Sequence, residues 1–261
     1  MGALTFQESH IEADGFRIKY LAAGQGDPVA ILDSISGGIS KLQDALVQRY
    51  RVIVLELPGF GSSPANTKSS SAKDLSKVVA QATEKIIPEK YTLIGTSFGA
   101  NVALWHTLQA PDQVDALVLI SPTTLLPMVN LVVGNPTERA KQMFAHPDSL
   151  ELPRLAPEIA AKEQELIRRL GGGIHDTEAE SRLSEIQCPT LVVFGSKDGL
   201  VAAAAASTYR QEIPNSHVSI VYDAGHLIVA ERPEALINTV VDYVERRETF
   251  VVSRQTGVIN P

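Results

Sequence analysis

The sequence predicts an α/β domain in which helices cover both faces of a mostly parallel, doubly wound sheet. Three observations carry that expectation. Six short apolar runs bounded by turn residues alternate with longer helix-patterned stretches. Several of the runs are apolar on both faces, as in parallel strands covered on each side. An antiparallel hairpin signal, Asp14-Gly15, stands ahead of the series.

Taken in order, "LTFQESHIEAD" and "FRIKYLAAG" flank Asp14-Gly15 and form the expected hairpin. "PVAILDS" (28–34), "YRVIVLEL" (50–57), "YTLIG" (91–95), "DALVLIS" (115–121), "PTLVVFG" (189–195) and "HVSIVYD" (217–223) read as the strands that follow. Helices are expected between them over 38–48, 71–87, 98–110, 200–212 and 233–247. The "TKSSS" before the second offers N-cap serines, and Pro233 suits the first turn of the last. Regular alternation of this kind builds a doubly wound sheet. It breaks from Thr123 to Glu185, where helical patterns near 136–145, 153–170 and 177–184 surround a flexible "GGG" at 171–173. That stretch reads as a helical insertion in a core made of 1–122 and 186–261. Ligands of open α/β sheets bind at the carboxyl ends of the strands, so the 123–185 insertion is placed to act as a lid.

Composition narrows the class. The chain has 261 residues, 44% hydrophobic and 20% charged, enough for one sizeable core. A net charge of −7 disfavours nucleic-acid partners. The single cysteine, Cys188, cannot form an internal disulfide and reads as a small buried hydrophobe beside Pro189. The N-terminus lacks the basic and apolar regions of a secretory signal. No run of about 18 apolar residues suggests a membrane span. The six histidines are too scattered for a metal site. The expectation is a cytoplasmic monomer or homodimer whose partner is a small-molecule substrate.

The chemistry centres on Gly95-Thr96-Ser97-Phe98-Gly99, between a strand and a helix. A G-x-S-x-G in this setting forms a sharp elbow that lifts the serine hydroxyl above the sheet. Side chains two residues before and after would collide, which accounts for the glycines. The helix N-terminus behind the serine offers free amides to developing negative charge. Ser97 is therefore the candidate nucleophile. It needs a base and an orienting acid, in the order serine, acid, histidine. His226 follows the last strand on a Gly-containing loop ahead of a helix. The other five histidines lie on strands, in the elbow helix or in the insertion. For the acid, Asp198 ends the strand "TLVVFG" 28 residues before His226. Asp223, three residues from His226, reads instead as a turn-shaping residue, and Ser121-Pro122-Thr123 offers no carboxylate. Trp105 reads as core.

The pieces "LELPGFGSS" (55–63), "GTSFGA" (95–100), "FGSKDGLV" (194–201) and "AGHLIVAERPE" (224–234) resemble the lid-bearing class of α/β-hydrolase fold proteins over nearly the whole chain. The resemblance implies eight strands, a lid after the sixth, and a Ser97–His226–Asp198 triad working without metal or organic cofactor. It implies an oxyanion hole from the Phe98 amide plus that of Ile35 or Ser34. Relatives usually carry His-Gly where this chain has Asp33-Ser34, and Asp where it has Glu56. Leu125, Leu126, Met128 and Val129 at the lid entrance read either as packing of the lid on the core or as the lining of an apolar substrate pocket. The implied activity is hydrolysis of a small to medium apolar ester, thioester or lactone. The lid layout also resembles carbon–carbon bond hydrolases. Lyases, cofactor-free oxygenases and perhydrolases use the same three residues, and the Asp33-Ser34 departure favours such non-hydrolytic chemistry. A non-enzymatic receptor has less need of all three residues.

Overall fold

A computed structural model of the chain describes residues 5–33, 38–125, 136–149, 155–171, 175–201 and 204–250. The chain opens with β1 (Gln7–Ala13) and β2 (Phe16–Ala23), followed by β3 (Pro28–Leu32), α1 (Lys41–Leu46) and β4 (Arg51–Leu55). Next come α2 (Ala72–Ile86), β5 (Tyr91–Thr96), α3 (Phe98–Gln109) and β6 (Val114–Ile120). Three helices occupy described parts of the stretch between β6 and β7: α4 (Pro136–Met143), α5 (Pro157–Arg169) and α6 (Thr177–Ser181). The core resumes with β7 (Thr190–Gly195), α7 (Ala205–Glu212), β8 (Ser216–Val221), α8 (Ile228–Glu231) and α9 (Pro233–Arg246).

Local chemistry explains these boundaries. Asp14 and Gly15 both take positive φ, +46° and +73°, so the β1–β2 turn matches the twist of its strands. Ser40 and Gln43 form a reciprocal capping box at α1. The Ser71 hydroxyl accepts from the Asp74 amide and starts α2. Pro233 opens α9.

The eight strands form one sheet in the order β1-β2-β4-β3-β5-β6-β7-β8. The β1–β2 and β2–β4 pairs are antiparallel and the rest are parallel. The continuous apolar runs are explained by burial on both faces. Leu117, Leu119, Val192 and Phe194 point into one core layer, while Val118, Ile120, Leu191 and Val193 point into the other. The first layer is closed by α2, α3 and α7, the second by α1 and α9. Helix α3 is buried from Phe98 to Leu108, apolar nearly all round as a fully enclosed helix must be.

Parallel pairing brings the carboxyl ends of β3, β5, β6, β7 and β8 to one edge of the sheet. Ser97, Ser121, Asp198 and His226 all leave from that edge. The described part of 123–185 contains helices and no strand. Its α5 is clamped to the loop after β4. Lys162 Nζ donates to the carbonyls of Gly61 and Ser63 at 2.7 and 2.6 Å, and the Gly61 amide donates to Glu163 Oε1 at 2.8 Å. No helix among the described residues is long and apolar enough to cross a membrane.

Candidate active site

Ser97 sits between β5 and α3 with φ +53° and ψ −118°. A non-glycine residue there is strained, and such strain clusters at functional sites. The flanking glycines have a steric cause. A Cβ on Gly95 would lie 2.4 Å from the Gly99 carbonyl oxygen, and one on Gly99 would lie 2.2 Å from that of Leu32. The Ser97 amide donates to the Ile120 carbonyl at 2.8 Å, which ties the elbow to β6. Although Ser97 is the N-cap of α3, its side chain makes no capping bond. Its hydroxyl is turned to His226 Nε2 instead, at 2.8 Å.

His226 Nδ1 lies 2.8 Å from Asp198 Oδ2, and both side chains are fully buried. The other Asp198 oxygen, Oδ1, accepts from the amides of Leu200 and Val201 at 2.8 and 2.9 Å. Those bonds fix the carboxylate and leave Oδ2 for the imidazole. With Nδ1–H donating to Asp198, Nε2 accepts the Ser97 O–H, the tautomer a base requires.

The main chain of His226 is held as well. Its N–H donates to the Met143 carbonyl at 2.8 Å, and its carbonyl accepts from the Ser121 hydroxyl at 2.8 Å. Ser121 itself has φ +48° and bonds through its amide to Val193 on β7. The sequence shows only the lack of a carboxylate at position 121, because no motif marks a serine whose hydroxyl bonds a distant carbonyl. On the acid side, the Gly199 amide donates to the Gln142 carbonyl at 3.2 Å. The end of α4 therefore touches both the Asp198 loop and the His226 loop.

Asp223 faces away from this line. Its carboxylate accepts from Lys197 Nζ at 2.5 Å and His146 Nε2 at 2.8 Å and pairs with Arg232. Lys197 and His146 hold its carboxyl far below the ordinary range. Cys188 is only partly buried, and desolvation pushes its thiol up to about 11, so it is not a poised thiolate. Trp105 is buried and donates to Asp176 Oδ2 at 2.7 Å. Glu56 is buried, accepting from Ser63 and pairing with Lys19 at 3.2 Å.

Phe98 opens α3, so its N–H is one of those a helix leaves without an intrahelical acceptor. Asp33 is half-buried just past β3, and the candidate donors Ser34 and Ile35 lie outside the described residues. Leu125 is buried in the same core layer as Phe98. Leu126, Met128 and Val129 also lie outside the described residues. A cavity of about 620 Å³ opens at the opposite edge of the sheet, against Lys90, Asp112, Cys188 and Arg247. It holds none of Ser97, His226 and Asp198, so the hydrogen-bonded line rather than cavity size marks the site.

A model of the alpha/beta hydrolase family matches residues 34–239. The chain is 29% identical over 282 residues to the 2-hydroxy-6-oxononadienedioate/2-hydroxy-6-oxononatrienedioate hydrolase of Escherichia coli (strain K12), covering 94% of this chain and 97% of that protein. Among solved structures, a serine hydrolase involved in carbazole degradation (CarC enzyme) matches with a TM-score of 0.74 at 23% identity, over 92% of this chain and 99% of that one. A membrane phospholipase A, a bacterial virulence factor, matches with a TM-score of 0.76 at 23% identity, over 92% and 86%. At those identities the two structures speak for the fold.

Proposed function

The chain belongs to the alpha/beta hydrolase family, and from that premise we propose that it is a serine hydrolase opening a small to medium apolar ester, thioester or lactone through an acyl-enzyme on Ser97. The observation that carries the reading is the line from Ser97 Oγ through His226 to Asp198, with both steps at 2.8 Å.

In this reading the Ser97 oxygen attacks the substrate carbonyl carbon while its proton passes to His226 Nε2. Asp198 keeps its bond to Nδ1–H and offsets the imidazolium charge. The charge gathering on the carbonyl oxygen is met by the Phe98 amide, with Ile35 or Ser34 as the second donor. The imidazolium then gives its proton to the leaving oxygen or sulfur, the carbonyl–heteroatom bond breaks, and the acyl group stays on Ser97. Water repeats the sequence with His226 as its base, and the carboxylic acid departs. Leu125, Leu126, Met128 and Val129 form an apolar wall for the acyl group, and residues 123–185 act as the lid over it.

A second reading, carbon–carbon bond hydrolysis, is supported by the near full-length likeness to the oxononadienedioate hydrolase. The same line would then protonate a departing carbon rather than an oxygen. Initial rates on p-nitrophenyl acetate to decanoate and on a 2-hydroxy-6-oxodienedioate, for wild type and Ser97→Ala, separate the two. Ester turnover lost in Ser97→Ala supports the first reading. Dienedioate turnover with silent esters moves the assignment to the second. Silence on both from folded protein contradicts both.

A further inference from the structure

The base loop is attached to the helical stretch between β6 and β7 more firmly than packing requires. Glu231, the last residue of α8, is partly buried and aims its carboxylate back across the loop. Oε2 accepts the Gly225 amide at 2.5 Å, and Oε1 accepts the His146 amide at 3.0 Å. One carboxylate thus joins the residue before His226 to the turn after α4. That turn already holds the His226 amide through the Met143 carbonyl. There is no slack between the two loops: a Cβ on Gly225 would come within 2.7 Å of the Ala145 nitrogen and the Met143 oxygen. Arg232 and the His146 ring both bond to Asp223. The Glu231 carboxylate bonds main-chain amides, a charge-assisted arrangement stronger than a neutral one.

We infer that Glu231 is a positioning residue: it locks the 143–146 turn against the base loop and so holds the His226 imidazole within reach of Ser97 Oγ. The inference rests on the reading of Ser97 and His226 as nucleophile and base. Without Glu231, the Gly225 and His146 amides lose their acceptor and the loops part. Misplacing a reacting group by about 1 Å can cost on the order of 10²-fold in rate. On this inference the loss falls on the rate of attack and not on binding.

The test is the labelling of Ser97 by an alkyl fluorophosphonate, followed as inactivation rate against probe concentration. Wild type, Glu231→Gln and Glu231→Ala are compared, each checked by circular dichroism and thermal melting. Glutamine keeps one acceptor oxygen but turns an NH₂ toward the other amide. The expected result is a maximal inactivation rate lowered about tenfold or more in Glu231→Ala, less in Glu231→Gln, with the half-saturating probe concentration unchanged. If Glu231→Ala does not fold, Glu231→Gln decides by the same criterion. Folded variants labelled at the wild-type rate, or changed only in half-saturation, would overturn the positioning role and leave the Ser97 reading intact. Wild type that takes no label at Ser97 would sink both.

Discussion

Ser97 holds a backbone conformation that costs on the order of 1–3 kcal/mol for a residue with a Cβ, and the glycines beside it make that conformation reachable. Gly99→Ala would drive a Cβ to 2.2 Å from the Leu32 carbonyl oxygen. Overpacking of this kind typically costs about 1–3 kcal/mol, and here it falls on the elbow itself. A lower melting temperature together with slowed fluorophosphonate labelling of Ser97 is expected; unchanged labelling would contradict the steric account. Asp198→Asn tests the acid more sharply. The Leu200 and Val201 amides hold whichever oxygen faces them. The asparagine NH₂ is then left facing His226 Nδ1, which forces the proton onto Nε2. That tautomer cannot accept from Ser97, and a loss approaching 10⁴-fold in kcat is expected with the fold intact. Near-wild-type turnover would rule out Asp198 as the orienting acid. The places of Ser97, Asp198 and His226 are legible in the sequence because each follows a strand, with a glycine one or two residues away. Ser121 and Glu231 are not legible, because their partners are main-chain atoms and main-chain atoms leave no composition signal.

At the scale of elements, alternation is legible because the central parallel strands are short and buried on both faces, and helices separate them along the chain. Boundaries move by a few residues where the sheet edge intervenes. The run to Ser121 ends as β6 at Ile120, since Ser121 turns to positive φ to reach His226. What no periodicity reveals is how the helices between β6 and β7 attach. Beside the bonds from α4 to the His226 and Asp198 loops, two further sets of bonds help hold them. Asn101 on α3 bonds Thr123 and Thr124 where the chain leaves β6, with distances of 2.7–3.0 Å. Lys162 on α5 holds two carbonyls of the loop after β4. Replacing Lys162 by Met keeps the apolar stem and removes both bonds, a loss of about 1–3 kcal/mol in local anchoring. Amide exchange over Pro157–Arg169 should quicken while α2 and α3 stay protected. Unchanged exchange in α5 would mean that packing alone holds it.

Over the whole molecule, burial of ionisable groups sets the response to pH. His106 is fully buried on α3, within 2.8 Å of the Tyr91 hydroxyl, and desolvation lowers it from 6.5 to about 4. The folded state therefore binds fewer protons than the unfolded chain between those two values. Stability is full above about pH 6.5 and falls as pH drops toward 4, by up to about 3 kcal/mol from this group. His106→Phe removes that contribution. Its urea midpoint should fall less steeply than that of wild type between pH 6.5 and 4; parallel slopes would contradict the assignment. The sheet that buries His106 on one helix carries Ser97 at the start of the same helix, so one framework serves both stability and the site.

We propose that this framework presents Ser97 as an activated nucleophile with His226 as its base. Intact-protein mass spectrometry after fluorophosphonate treatment tests it most directly. One adduct per chain is expected, mapped to Ser97, absent in Ser97→Ala and formed far more slowly in His226→Ala. No adduct on folded protein, an adduct elsewhere, or equal labelling of His226→Ala would contradict it.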